Sequence, residues 1–119
     1  MDWELFIGAT ITAFLFIVSG LLWRRFPPKK INHFYGYRSR RSMANQEIWD
    51  HANTLGPKMF VYLGIILLVI GIISYSMYPN ASPIISLFAM LIGIGAGMYW
   101  CETQLDKQFD KQGNPKKNP

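Results

Sequence analysis

Three long stretches of this sequence carry no charged side chain, and they restrict what the chain can fold into more than any other feature. They cover residues 5–23, 59–78 and 84–100. A helix of about 20 apolar residues crosses the hydrocarbon core of a bilayer. The third stretch is the shortest and contains Gly93, Gly95 and Gly97, so its insertion is expected to depend on packing against the other two. The sequence therefore predicts an all-α membrane protein with three transmembrane helices, in a single membrane domain over residues 1–119.

The polar residues are gathered in a loop over residues 24–58 and a tail over residues 101–119, which explains a mean hydropathy of only +0.13. Between the second and third stretches lie only residues 79–83, with a proline at each end. Proline does not fit inside a helix, so these two helices are expected to form a tight antiparallel hairpin. In the tail, Leu105 and Phe109 are four residues apart among charged side chains, which predicts a brief helical extension. The last six residues are expected to be frayed.

The second half of the loop has the pattern of a short amphipathic helix, predicted over Met43–Leu55. Its apolar residues recur at helical spacing, and they are Ala44, Ile48, Ala52 and Leu55. Ser42 is a candidate N-cap, and Gly56 followed by Pro57 is a typical stop signal. We therefore expect a separate cytoplasmic helix between the first two transmembrane helices.

The distribution of charge predicts the orientation. The chain has 12 Lys and Arg against 7 Asp and Glu, and lysine and arginine near short loops stay on the cytoplasmic side. Eight of the cations fall in the central loop, namely Arg24, Arg25, Lys29, Lys30, Arg38, Arg40, Arg41 and Lys58. The other four are in the tail, and none lies before the first stretch or in the 79–83 turn. The N-terminus is thus expected outside, and the loop and tail in the cytoplasm.

The same distribution bears on partners and processing. Because the basic residues flank apolar stretches, attraction to anionic membrane lipids explains the net charge of +5 better than nucleic-acid binding does. The first stretch is preceded by Asp2 and Glu4 rather than by a basic segment, and no small-residue cleavage site follows it. It is therefore expected to remain in the mature protein.

The first half of the loop is richer in chemistry than a connection between two helices requires. The candidate binding residues of the loop are Asn32, Tyr35, Gly36, Arg38, Ser39, Ser42, Trp49 and Asn53. With Gly56 in place of Tyr35, this set resembles the signature of the SdpI family of bacterial membrane immunity proteins, which has an Asn, a Gly-x-Arg-Ser/Thr element, a Ser or Thr, a Trp, and an Asn shortly before a Gly. The resemblance covers about residues 20–78.

That resemblance implies a protein of the bacterial plasma membrane that resists a secreted toxin, typically a hydrophobic peptide that collapses the membrane potential. The founding type of the family also recruits a cytoplasmic repressor, but it has about twice as many spans as this chain, so recruitment stays open here. The expected partners are membrane lipids, the toxin peptide, a cytoplasmic repressor and a second copy of the chain.

The residues themselves leave alternatives open. Gly36 favours a turn that places Tyr35 and Tyr37 at the interface with Arg38 between them. Arg38 could hold a phosphate or a carboxylate through a bidentate contact, or it could only enforce topology. Trp49 is either an interfacial anchor or a wall of the site. Asn32 and Asn53 are expected to knit the loop to the helix.

Catalysis has little support in the sequence, and neither a cofactor nor a metal is expected. Glu47 and His51 are four residues apart near Asp50 and His33, but they lack a metalloenzyme spacing such as H-E-x-x-H. No span contains a carboxylate for proton relay. Two other classes remain as alternatives: a membrane-embedded enzyme or lipid-binding protein that uses residues 31–58, and a signalling adaptor.

Small residues recur along the third stretch, at Ala89, Gly93 and Gly97. Such a stripe lets another helix approach closely. Gly64 and Gly71 share one face of the second stretch and are the expected partner surface. Packing within the hairpin and formation of a homodimer both fit the pattern.

Overall fold

The computed structural model describes residues 1–116, and this part of the chain contains three α-helices. They are α1 over Trp3–Arg25, α2 over Gln46–Met77 and α3 over Ser82–Gln108. All three are long and apolar enough to cross a membrane, so the predicted all-α architecture, with three helices able to span a membrane, is confirmed. The last three residues of the predicted tail lie outside the described residues.

The ends of α1 follow from local chemistry. The Asp2 side chain caps the N-terminus by accepting a hydrogen bond from the backbone N–H of Leu5 at 3.2 Å. Arg24 and Arg25 occupy the last turn, where cations complement the helix dipole. The helix ends just before the two prolines at positions 27 and 28, which cannot continue it.

The predicted separate amphipathic helix is wrong in its boundaries, because its residues form the first turns of α2. The helix begins at Gln46, passes through Gly56 and Pro57 without a break and reaches Met77. Its 32 residues give a length of about 48 Å, well beyond the ~30 Å of a hydrocarbon core. Packing explains the continuity, since Gly56 lies directly against the ring of Trp23 on α1 and a neighbouring helix can compensate for a proline in a spanning helix.

Helices α1 and α2 pack through positions that lack a side chain. A Cβ atom at Gly64 would lie 2.9 Å from the carbonyl oxygen of Ala13, and one at Gly71 would collide with the backbone of Ala9. The expectation that these two glycines face the third helix is therefore wrong, because α1 occupies that surface. Helix α3 joins the same contact through Ser86, whose hydroxyl donates to the carbonyl of Ala9 at 2.6 Å.

Helices α2 and α3 form the predicted antiparallel hairpin, connected by residues 78–81. The stripe on α3 faces α2: a Cβ at Gly93 would collide with Leu63, and one at Gly97 would lie 2.6 Å from Cγ of Met59. Of the two arrangements that the stripe allows, packing within the hairpin accounts for these glycines. A homodimer stays a prediction.

The tail differs from expectation over residues 114–116. α3 continues beyond Trp100 to Gln108, as predicted, but the chain then turns back on itself instead of fraying. The Asp110 carboxylate accepts from the backbone N–H groups of Gln112 and Asn114 at 2.9 Å each. The turn also rests on the start of α2, where Asn45 donates to the Gly113 carbonyl at 2.9 Å. We call residues 26–57 together with this turn, residues 109–116, the cap.

Candidate functional site

The amide of Asn53 is the centre of the cap. Its Oδ1 accepts from the indole Nε1 of Trp23 at 3.1 Å and from the backbone N–H of Tyr37 at 2.8 Å, while its Nδ2 donates to the Trp49 carbonyl at 2.9 Å. The side chain is buried, as are those of Trp23 and Tyr37. One amide thus joins the end of α1, the loop and α2. These are the hydrogen bonds between loop and helix that are expected of Asn53.

Trp49 anchors the other side of the loop. Its side chain is completely buried, and its Nε1 donates to the carbonyl of Pro28 at 2.7 Å. That carbonyl has no helical partner, since two prolines interrupt the chain at the end of α1. Trp49 therefore acts inside the cap as a support for the loop.

The turn that leads into Gly36 is held by side-chain hydrogen bonds. The Oδ1 of Asn32 accepts from the backbone N–H groups of Phe34 and Tyr35 at 2.9 and 2.8 Å, and the Tyr35 hydroxyl donates to the carbonyl of Phe26 at 2.6 Å. Gly36 has a φ of +110°, and a Cβ there would lie 2.6 Å from Oδ1 of Asn53. Only glycine meets both demands, the positive φ and the close approach.

Ser42 does not cap α2, contrary to expectation, because the helix begins at Gln46, four residues further along the chain. Asn45 is the N-cap, and its side chain accepts from the backbone N–H of Ile48 at 2.8 Å. The hydroxyl of Ser42 is instead completely buried and lies 2.9 Å from the carbonyls of both Tyr37 and Ser39. Ser39 returns a contact, since its Oγ accepts from the backbone N–H of Ser42 at 3.1 Å.

Tyr37 contributes a contact that the sequence does not predict. Its ring is 5% exposed rather than placed at an interface, and its hydroxyl donates to Oε1 of Glu102 on α3 at 2.7 Å. Burial, followed by the hydrogen bond and the charge of Glu102, raises the pKa of Tyr37, so the phenol stays protonated. The pair fastens the loop to the third helix.

Arg41 supplies a second such contact. Its guanidinium forms a salt bridge with Asp106 and donates to the carbonyls of Phe109 and Asp110 at 2.8 and 3.2 Å. The sequence predicts only a topological role for Arg41, and no local motif indicates its partners in the tail.

Arg38 is exposed, and it lines a cleft of about 420 Å³ between the loop and all three helices. The apolar wall of this cleft is formed by Trp23, Met43, Met59, Phe60, Ile94 and Met98. Its polar edge is formed by His33, Tyr37, Arg38 and Ser39, with Gly36 beside them. We call it the Arg38 cleft.

The predicted site residues thus divide into two groups. Gly36, Arg38 and Ser39 line the Arg38 cleft. The others hold the loop in place through the hydrogen bonds described above, and they are Asn32, Tyr35, Ser42, Trp49 and Asn53. Within residues 1–116, no group of three His, Cys, Asp or Glu side chains is placed to hold a metal ion.

These features define a class of protein: a three-helix membrane protein with a hydrogen-bonded polar cap at one end and a cleft between cap and helices. The sequence pattern of the SdpI/YfhL protein family matches residues 29–100, and the chain belongs to that family. The family is not a known enzyme family. The matched region contains every predicted site residue.

One curated relative shows the same relationship. An uncharacterized protein of Bacillus subtilis (strain 168), YfhL, is 41% identical to the chain over 59 residues, which is 50% of this chain and 54% of YfhL. The match thus spans about half the length of that relative. No solved structure matches the chain significantly.

Proposed function

We propose that this protein is an immunity protein of the bacterial plasma membrane, which protects the cell against a secreted, membrane-active peptide. The proposal rests on family membership together with one structural observation. Two residues of the family signature, Trp49 and Asn53, are joined with Trp23 and Tyr37 in one buried hydrogen-bonded unit, and Arg38, next to Tyr37 in the chain, lines a cleft. Such an arrangement suits a preformed binding surface that acts without catalysis.

Arg38 is the residue on which we expect protection to depend. Its planar guanidinium can hold a carboxylate or a phosphate by two parallel hydrogen bonds, whereas lysine keeps the charge and loses that geometry. Arg38→Lys should therefore impair protection by about tenfold in the peptide concentration survived, corresponding to ~1.4 kcal/mol of binding free energy. Arg40→Lys is the matched control, because Arg40 is exposed in the same loop but does not line the Arg38 cleft.

The experiment expresses each variant in a sensitive bacterial strain challenged with a hydrophobic, depolarising peptide. Survival and membrane potential are measured, after immunoblotting has shown equal amounts of each variant in the membrane. The proposal predicts that the parent chain and Arg40→Lys preserve the potential. If cells with the parent chain die as readily as cells with an empty vector, the immunity proposal fails for that peptide class.

We also propose that the N-terminus lies outside the cell and that the cap is cytoplasmic. The support is the concentration of eight cations in residues 24–58 and their absence from residues 79–83. In this orientation the cap faces soluble proteins, so recruitment of a cytoplasmic regulator is part of the proposal. Co-purification of a soluble regulator with the membrane-embedded chain tests that part.

The orientation is tested by thiol labelling of intact cells in a Cys101→Ser background. Asn80 and Phe34 are suitable cysteine positions because both are exposed, whereas Ser82 is completely buried. A cysteine at Asn80 should react with an impermeant reagent in sealed cells, and one at Phe34 should react only after lysis. Labelling in the opposite order would reverse the proposed orientation.

A further inference from the structure

The Arg38 cleft has an apolar end and a cationic end. Five of the six residues of its apolar wall belong to the helices, among them Met59 and Phe60 on α2 and Met98 on α3, and the sixth, Met43, lies in the loop. Its cationic end is formed by the loop. Trp23 ends one uncharged apolar stretch and Met59 begins the next, so the cleft lies where these stretches meet the loop.

Arg38 has capacity to bind an anion. Within residues 1–116 it takes part in no salt bridge, and its guanidinium donates only to the carbonyl of His33. A guanidinium has five N–H donors in a planar fork, so several remain for a further acceptor. Arg41 offers the contrast, because Asp106 and two tail carbonyls already accept hydrogen bonds from its guanidinium.

The apolar residues of the cleft are suited to a flexible apolar ligand. Three of its six apolar residues are methionines, namely Met43, Met59 and Met98. Methionine side chains are unbranched and polarisable, so they adapt to irregular ligands. The volume of about 420 Å³ lies within the ~300–1,000 Å³ usual for small-ligand sites.

We propose that the Arg38 cleft binds one anionic phospholipid from the leaflet on the loop side, with its phosphate at Arg38 and the first part of an acyl chain along the methionines. The surrounding loop favours this occupant, since its eight cations enrich anionic lipid at the surface. A free phosphate would leave the apolar wall unused. The lipid site is assigned from charge and shape, and it uses the same Arg38 on which the proposed protection depends. Lipid binding is therefore first measured in the absence of any peptide, so that its failure is distinct from a failure of the immunity proposal.

Native mass spectrometry of the full chain, purified in detergent and stripped of lipid, tests this site. Dioleoyl phosphatidylglycerol is titrated against dioleoyl phosphatidylcholine, and glycerol phosphate is added as a soluble competitor. We expect one phosphatidylglycerol to bind about tenfold more tightly than phosphatidylcholine. A difference of this size is what one charge-assisted hydrogen bond contributes to the binding free energy. Glycerol phosphate at an equal concentration should not displace it.

Two variants and a control sharpen the result. Arg38→Gln should remove the preference for phosphatidylglycerol, while Arg40→Gln should keep it. Met98→Trp fills the apolar end without changing the charge, and it should weaken the binding of both lipids several-fold. Thermal unfolding establishes that each variant is folded before it is compared.

Several outcomes would overturn the proposal. Equal affinity for the two lipids, or equal behaviour of Arg38→Gln and Arg40→Gln, would show that Arg38 selects no headgroup. Displacement by glycerol phosphate would assign the cleft to a free anion. Displacement of the lipid by a hydrophobic peptide at equal concentration would assign it to the peptide instead.

Discussion

The spanning region and the cap are held together by different kinds of contact. In the spans, α1 and α2 approach each other where side chains are missing, as at Gly64 and Gly71. In the cap, the chain is joined by side chains that reach across, chiefly those of Trp49 and Asn53. Lipid supplies little hydrophobic force between helices, so close backbone packing must hold the spans together. The cap instead depends on a few buried polar groups, and each of them affects several segments at once.

If this contrast is correct, the largest effect of a single substitution lies at the centre of the cap. Asn53→Leu keeps the approximate volume but leaves the N–H groups of Trp23 and Tyr37 buried without their acceptor. A stranded buried donor costs about 1–3 kcal/mol, so the free energy of unfolding should fall by roughly 2–6 kcal/mol. Thermal unfolding in mild detergent, followed by circular dichroism, measures the loss.

Asn80→Leu is the matched control for this prediction, since Asn80 is exposed in the turn between α2 and α3. Its free energy of unfolding should lie within about 0.5 kcal/mol of the parent value. Equal stability of the Asn53→Leu and Asn80→Leu variants would mean that the cap does not depend on the Asn53 amide.

The next largest effect tests the packing of the spans. A Cβ at Gly64 would lie 2.5 Å from Cγ1 of Ile17 and 2.9 Å from backbone atoms of α1, which cannot move aside as a side-chain tip can. Gly64→Ala should therefore destabilise the protein by about 1–3 kcal/mol. Gly95→Ala is the control on a spanning helix, because a Cβ there meets nothing within 4 Å. A smaller loss at Gly64 than at Gly95 would refute close packing of α1 on α2.

The same contrast explains how far the sequence predicts the fold. Uncharged apolar stretches locate the three spans, because burying a charge in hydrocarbon is so costly that few other patterns are tolerated. The helix boundaries are less accessible. Gly56 and Pro57 are a stop signal in local terms, yet α2 continues through them because Trp23, more than thirty residues earlier, packs against Gly56.

The sequence likewise predicts only part of the site. The family signature identifies the residues around which the loop is built, including Gly36 and Asn53, but it does not show which of them face a ligand. The contacts from Tyr37 to Glu102 and from Arg41 to Asp106 each join residues 65 positions apart. No periodicity or motif indicates such pairs, since they arise only when α3 returns to the cap.

The smallest expected effect is at Arg41, where the cap is joined by an exposed ion pair instead of a buried amide. The Arg41 side chain is 26% exposed and that of Asp106 57%. Partly solvated pairs contribute about 0–1 kcal/mol, because water and salt screen the charges. The remaining contacts of Arg41 are to the carbonyls of Phe109 and Asp110, so its influence is confined to the turn over residues 109–116.

Arg41→Gln should accordingly leave the free energy of unfolding within about 1 kcal/mol of the parent value, while hydrogen exchange in residues 109–116 becomes several-fold faster. Exchange measured by mass spectrometry on the detergent-solubilised chain separates these two results, because local opening needs less free energy than global unfolding. Arg40→Gln removes a charge from the neighbouring, exposed position and should alter neither quantity. Faster exchange spread equally over Asn53 and the turn would show that Arg41 supports the whole cap, and the division between a buried amide core and a locally held tail would then be wrong.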